Sequence, residues 1–152
     1  MQAPQIRVLV ICVFWHKGRI LVSEAHDPSK GQNFFRPLGG GVEFGETSAH
    51  ALARELREEI GAEMANLQCI GTIENIFTYL GEPGHEIVQV YDAEFLDGSL
   101  YGLASIPGME SDGKPFRAVW RELQSFTPEA PLYPAGLEEL LKSKEECFAN
   151  AT

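Results

Sequence analysis

Three glutamates at helical spacing constrain this chain more than any other feature. Glu55, Glu58 and Glu59 stand at i, i+3 and i+4 within the stretch Gly40 to Ala62. Each residue of an α-helix advances about 100°, so a helix here places the three carboxylates on one face. Ala49, Leu52, Ala53, Leu56 and Ile60 form an adjoining apolar face, the pattern of a helix packed on a core. The spacing predicts a helix from about Thr47 to Ile60, with Thr47 as its N-cap and Gly61 as its C-terminal stop. Like charges at i, i+4 destabilise a helix by roughly 0.2–0.5 kcal/mol per pair, so such a face is costly unless a cation rests on it. A charge run with no other signal reads as a solvated surface. Here Gly39, Gly40 and Gly41 come just before the helix, and glycine lets other groups approach the backbone closely. Glu46 lies just before the helix start, and Arg54 adjoins the cluster, placed to hold one carboxylate. Clustered carboxylate oxygens of this kind suit hard divalent cations, Mg²⁺ above all, which are often shared with substrate phosphates.

In this order the residues resemble the Nudix box, G-x5-E-x7-R-E-U-x-E-E-x-G-U, where U is a bulky aliphatic. Gly40 takes the first glycine and Glu46 the first glutamate. Arg54 and Glu55 supply the R-E pair, Leu56 the first U, Glu58 and Glu59 the E-E pair, and Gly61 the last glycine. The final U departs from the pattern, because Ala62 is apolar but small; that weakens packing after the helix and leaves the acidic positions intact. The pattern fixes nine positions within 23 residues, which makes it far more specific than a lone glycine motif.

The resemblance implies an α/β/α sandwich with the box helix lying on the sheet. It also implies hydrolysis of a nucleoside diphosphate linked to another moiety, with water attacking phosphorus and a divalent metal (Mg²⁺, with Mn²⁺ as a substitute) carrying much of the charge. Metal ligands by this resemblance are Glu55, Glu58, Glu59 and the backbone carbonyl of Gly40. Glu55 is also a candidate general base, and Arg54 would orient the glutamates through charge-assisted hydrogen bonds. Glu46 is expected to support the loop–helix geometry rather than bind metal. Family members often take a further glutamate from a later loop, and Glu110 is the candidate here, against the plainer reading of a surface carboxylate. Glu94 and Glu122 are weaker candidates near strand ends.

Composition bounds the partners. A chain of 152 residues is expected to form one domain over residues 1–152, and at this size folding buries roughly 68–70% of the unfolded surface. The net charge of −10 argues against a nucleic-acid backbone or an anionic membrane as main partner. It leaves room for a small phosphate ligand, because metal ions reverse the local field. Cys12, Cys69 and Cys147 share no metal-type spacing and read as buried or idle thiols of a reducing compartment. The apolar run Val8–Trp15 is too short to span a bilayer and lacks a cleavage pattern, so a soluble cytoplasmic protein is expected. Relatives of the family are often homodimers; no interface signature is visible in this sequence, and the oligomeric state stays open.

Along the chain, Ile6–Trp15 reads as a buried strand, turning at His16–Arg19 into a returning strand Ile20–Glu24. Phe34–Leu38 leads into the glycines as a short extended segment. After the helix, Leu67–Tyr79 and His85–Phe95 form a second hairpin about the turn Gly81–Gly84. Asp97–Lys114 reads as a long loop, Phe116–Arg121 as a strand, and Leu137, Leu140 and Leu141 mark a C-terminal amphipathic helix. Strands, one helix, more strands and a last helix do not form a regular βαβ series, so the fold class is α+β, a mixed β-sheet with helices packed on it.

On the substrate side, Arg36 could reach a phosphate. Phe34, Phe35, Phe77 and Tyr79 could stack on a base, although strand aromatics are usually core. His85 opens a strand beside the turn, as a structural or a substrate-facing side chain. Tyr79 stands where some dinucleoside polyphosphate hydrolases of the family carry a tyrosine; the proline that tends to mark ADP-ribose hydrolases is replaced near there by Phe77. Two other classes compete with the hydrolase. A non-catalytic nucleotide-binding module would be marked by a missing box glutamate, and none is missing. An isoprenoid-diphosphate isomerase needs a catalytic cysteine paired with a glutamate, and nothing in the sequence pairs Cys12 or Cys69 in that way.

Overall fold

Strand β1 (Arg7–Val13) is the hinge of the architecture. Val10 and Cys12 point into one buried cluster, Ile11 and Val13 into the other, and burial on both faces is what an unbroken β-branched run specifies. In the computed structural model the backbone is described for residues 3–150 and side chains through residue 145, so the Cys147 thiol lies outside the described residues. β1 sits inside a four-stranded mixed sheet. It runs antiparallel to β5 (Leu38–Gly41) and parallel to β7 (Glu82–Phe95), and β6 (Met64–Tyr79) forms the outer edge. A second, antiparallel sheet joins β2 (Trp15–His16), β3 (Arg19–Asp27), β9 (Pro115–Glu122) and β8 (Ser105–Met109), with β4 (Gln32–Arg36) on the free side of β3. Helix α1 (Ser48–Ile60) contributes Ala51, Leu52 and Leu56 to the first cluster, and α2 (Leu137–Asn150) contributes Leu137 and Leu141 to the second. This is the expected α+β arrangement, with a mixed sheet and two packed helices. Among the described residues no helix is long and apolar enough to cross a membrane.

Local departures from the sequence reading have physical causes. The first hairpin survives only at its tip, where Trp15 pairs with Ile20 and His16 with Arg19 across a Lys17–Gly18 turn with both φ positive, 53° and 76°. Phe14 turns inward to stack on Phe95 at 3.9 Å between ring centroids, and β1 leaves for the other sheet. Similarly, Phe34–Leu38 splits at Pro37 between β4 and β5. The second hairpin turns at Leu80–Gly81, φ 53° and 78°, not at Gly81–Gly84. Pro83 and Gly84 are instead inside β7, where parallel pairing with β1 begins only at Glu86, so the missing N–H of Pro83 leaves no gap on that side.

The region expected to be a long loop is largely ordered. Gly98–Gly102 forms a 3₁₀ turn, and Ser105–Met109 is β8, hairpinned to β9. At the outer edge, β6 changes register with β7 between Ala65 and Gln68 and again between Cys69 and Gly71. Beside the second shift, Gly71 receives Leu140 of α2, whose Cδ2 would stand 2.9 Å from a Cβ at that position.

Candidate carboxylate site

Helix α1 is fixed at both ends before it presents any carboxylate. The Thr47 side chain accepts from the His50 N–H at 3.2 Å. Gly61 closes the helix in a left-handed conformation (φ 67°), its N–H donating to the Arg57 carbonyl and the following Ala62 N–H to that of Leu56. The Ser48 and Tyr91 hydroxyls lie 2.7 Å apart and tie the first turn to β7.

The glycines of β5 let the helix side chains come close. A Cβ at Gly40 would lie 2.4 Å from the Glu55 Cδ and 2.6 Å from each of its oxygens, so the Glu55 carboxylate rests directly on the Gly40 backbone. Gly39 has a φ of 154°, and a Cβ there would meet the Val10 carbonyl oxygen at 2.0 Å. Arg54 binds the whole corner. Its Nε and Nη2 donate to Glu46 at 2.9 and 2.8 Å, Nη1 donates to Glu55 at 3.0 Å and Glu58 at 3.5 Å, and Nη2 also reaches the Gly41 carbonyl at 3.0 Å. The Glu46 carboxylate accepts in addition from the Glu43 N–H at 2.9 Å. The Arg54 guanidinium, with that N–H, holds the Glu46 carboxyl down to about 2. Glu46 thus anchors the turn to the helix, as expected from its place before the helix start.

Glu59 differs from its neighbours. Its Oε1 is buried with no hydrogen-bond partner. Burial, reinforced by the Glu55 charge, pushes its carboxyl up to about 8; Arg36 and the Gly39 N–H pull it back, and Glu110 pushes it further up. Burial also raises Glu55, against the opposing pull of Arg54. Two partly buried carboxyls side by side, each held above the ordinary carboxylate range by burial, are stabilised as anions only by positive charge placed against them. Glu58 is exposed and leans on Arg54, and among the described residues no three acidic, histidine or cysteine side chains already converge in ligating geometry.

The structure brings Glu55 and Glu58 to Arg54 and lays Glu55 on Gly40, while Glu59 answers to the Glu55 charge and the Gly39 N–H, with Arg36 and Glu110 near enough to act on it by charge. Glu110 lies in the β8–β9 turn, its N–H donating to the Lys114 carbonyl at 2.8 Å. Other residues fall elsewhere. Phe35, expected as a stacking surface, is corrected to a core residue: it is 3% exposed, with the Arg121 guanidinium 4.4 Å from its ring centroid. Tyr79 is partly exposed and edge-on to Phe34 at the far end of the β6–β7 hairpin, and His85 pairs with Ile76 there. No described contact joins either of them to the carboxylates. Glu94 accepts from Asn66, and Glu122 from Gln124. Cys12 is buried and Cys69 exposed. Glu43 was not singled out in the sequence; its signal was its place at the other end of the tight turn that closes on Glu46.

The NUDIX domain family profile matches residues 3–135, and the chain belongs to the Nudix family. Nudix hydrolases act on nucleotide-linked substrates and generally use divalent metals. Among curated proteins, the chain is 29% identical over 99 residues to the NAD-capped RNA hydrolase NudC of two Pseudomonas aeruginosa strains. That match covers 65% of this chain but only 33% of NudC. In fold it is similar to the E. coli ORF135 protein, with a TM-score of 0.63, 22% identity and coverage of 92% of this chain and 91% of that one. A MutT NUDIX hydrolase from Burkholderia pseudomallei gives a TM-score of 0.60 and 23% identity, covering 90% and 96% of the two chains.

Proposed function

We propose that this protein is a divalent-metal-dependent hydrolase that cleaves the diphosphate of a nucleoside diphosphate linked to another moiety. The observation that carries the reading is the orphaned, buried Oε1 of Glu59 beside a Glu55 carboxylate laid on Gly40. A buried acceptor without a donor is costly, and a hard cation satisfies it. The residues fit such an ion: Glu55, Glu59 and the Gly40 carbonyl would hold it, with Glu58 turning in from Arg54 and Glu110 approaching from the β8–β9 turn. Bound there, Mg²⁺ or Mn²⁺ supplies positive charge opposite the diphosphate oxygens and makes water a stronger acid.

The remaining work falls to the chain's own side chains. Arg54 fixes the Glu55 carboxylate through its Nη1 hydrogen bond. A Glu55 or Glu110 carboxylate oxygen takes the proton from the attacking water. Arg36, exposed at the end of β4 and acting on Glu59 by charge, would offer its guanidinium to a phosphate. Candidate substrates are dinucleoside polyphosphates, ADP-ribose or nucleotide sugars, and nucleoside triphosphates. NADH joins the set to be tested, the likeness to an NAD-capped RNA hydrolase adds NAD-capped RNA, and the net charge of −10 favours the small nucleotides over a polynucleotide.

The test is phosphate release, with a coupled phosphatase, from that set of compounds plus an NAD-capped oligoribonucleotide, in Mg²⁺, in Mn²⁺ and in chelator. Metal-dependent turnover of one compound is the expected result. Turnover of none, from a chain that binds nucleotide tightly, would instead support the non-catalytic binding module.

A further inference from the structure

Gly108, the fourth of the five residues of strand β8, is the glycine whose missing Cβ faces the backbone of the carboxylate helix. A Cβ there would lie 2.4 Å from the Phe116 Cζ and 2.9 Å from the backbone carbonyl oxygen of Glu59. We propose that Gly108 is a positioning residue: having no Cβ, it lets β8 close onto the Glu59 backbone and so sets how near the Glu110 turn stands to the carboxylates of α1. The inference rests on the proposed metal-dependent centre and extends it to the seam between α1 and the β8–β9 hairpin.

Two features make this seam a determinant of geometry. First, one of the two obstacles is helix backbone. At Gly84, in the other long hairpin, a Cβ would meet only the Phe77 ring, 2.3 Å from its Cζ. A ring end can swing aside, whereas the Glu59 carbonyl belongs to a helix capped at both ends. Second, Glu110 cannot drift independently of Gly108. It follows two residues later and is held by its own N–H on the Lys114 carbonyl at 2.8 Å and by the Gly113 N–H on its carbonyl at 2.9 Å. Any side chain at 108 must therefore push the whole turn outward, from 2.9 Å to ordinary contact beyond 3.4 Å. Because a Cβ at Gly108 would stand against the Glu59 carbonyl and Glu110 follows two residues on, the turn that carries Glu110 lies beside the Glu59 end of α1.

The experiment measures Mn²⁺ binding to the full chain, without nucleotide, by the loss of the free-ion EPR signal, alongside thermal melting and steady-state kinetics. Gly108→Ala should weaken Mn²⁺ binding by about tenfold, the lower end of what disturbed supporting groups cost metal sites. Gly108→Ala/Phe116→Leu should keep that defect, because the Glu59 carbonyl is still obstructed. Gly84→Ala should lower the melting temperature and leave Mn²⁺ affinity at the wild-type value. Glu110→Gln, which changes no packing, should also weaken Mn²⁺ binding. Wild-type affinity in Gly108→Ala or in Glu110→Gln overturns the proposal. So does restoration by Phe116→Leu, or an equal loss in Gly84→Ala, since either would trace the effect to the ring or to general destabilisation. A wild-type chain that binds no Mn²⁺ refutes the metal centre itself, and is told apart because no substitution is involved.

Discussion

Replacing Gly40 with alanine should disable the site while leaving the fold standing, and the size of the effect follows from one distance. The new Cβ would fall 2.4 Å from the Glu55 Cδ, where ordinary contact begins near 3.4 Å. The carboxylate must retreat by about 1 Å, a misplacement that costs about 100-fold in rate, or about 2.7 kcal/mol of transition-state stabilisation. Its 3.0 Å hydrogen bond from Arg54 Nη1 is disturbed in the same movement. The strand itself tolerates alanine: Gly40 is not among the positive-φ glycines and pairs regularly with Val10. The assay is kcat and KM on the best substrate of the set, with a melting curve of the same preparation. Kcat should fall about 100-fold with a native-like melt. A double-mutant cycle with Glu55→Asp isolates the cause, because the shorter side chain withdraws its carboxylate from the new methyl group. The two substitutions should be clearly non-additive, the double variant being little worse than Glu55→Asp alone. A Gly40→Ala enzyme within threefold of wild type, or strict additivity in the cycle, would refute the reasoning.

Further outcomes are expected from other residues. Glu59→Gln and Glu58→Gln should each lower kcat by more than about 100-fold with the fold intact; near-normal turnover in both would remove the metal-cluster reading. Glu110→Gln should lower kcat more than it raises KM, and an unchanged kcat would return Glu110 to the plain surface. Burial, with Glu94 adding to it and Lys144 opposing, holds the Asp92 carboxyl above its ordinary value in the folded state. A raised folded-state pKa means the native form binds the proton more tightly, so stability falls as pH rises through the window above the unfolded value near 3.9. Asp92→Asn should therefore melt higher than wild type at neutral pH, with the gap closing as the pH drops below that value, in melting curves taken across pH. A gap that stays constant would contradict the assignment.

The parts of the site that were legible in the sequence are those set by local chemistry. The helix, its Thr47 cap, its Gly61 stop and the Arg54 tie to Glu46 and Glu55 all follow from spacing within one stretch. What stayed hidden depends on partners distant in the chain. Ser105–Met109 contains a proline and a glycine and has little intrinsic strand preference; it becomes a strand because β9 pairs with it and α1 packs on it. The β6–β7 turn falls at Leu80–Gly81 because Leu80 adopts a positive φ that leucine seldom takes. The Asp27 carboxylate, nearly inaccessible, accepts from the Leu80 N–H at 3.4 Å and from Ser29, and so links the tip of that hairpin to the other sheet. Phe34 and Phe35 both read as possible stacking surfaces in sequence, yet both are core residues, 7% and 3% exposed, with Arg121 over the Phe35 ring.

The outer strand β6 carries a consequence for how this protein behaves at high concentration. A free strand edge invites pairing with another molecule, the first step of aggregation. The two register shifts break that edge near its start, and bulges of this kind twist an edge away from flat pairing. The longest regular run left is Gly71–Tyr79, where Thr72, Glu74, Ile76 and Thr78 alternate on the more exposed face. Ile76 is 76% exposed, so Glu74 is the one charge that guards this run. Neutralising it with valine would leave the folded core almost untouched and yet lower solubility, a change that light scattering after prolonged storage would register and a melting curve would miss.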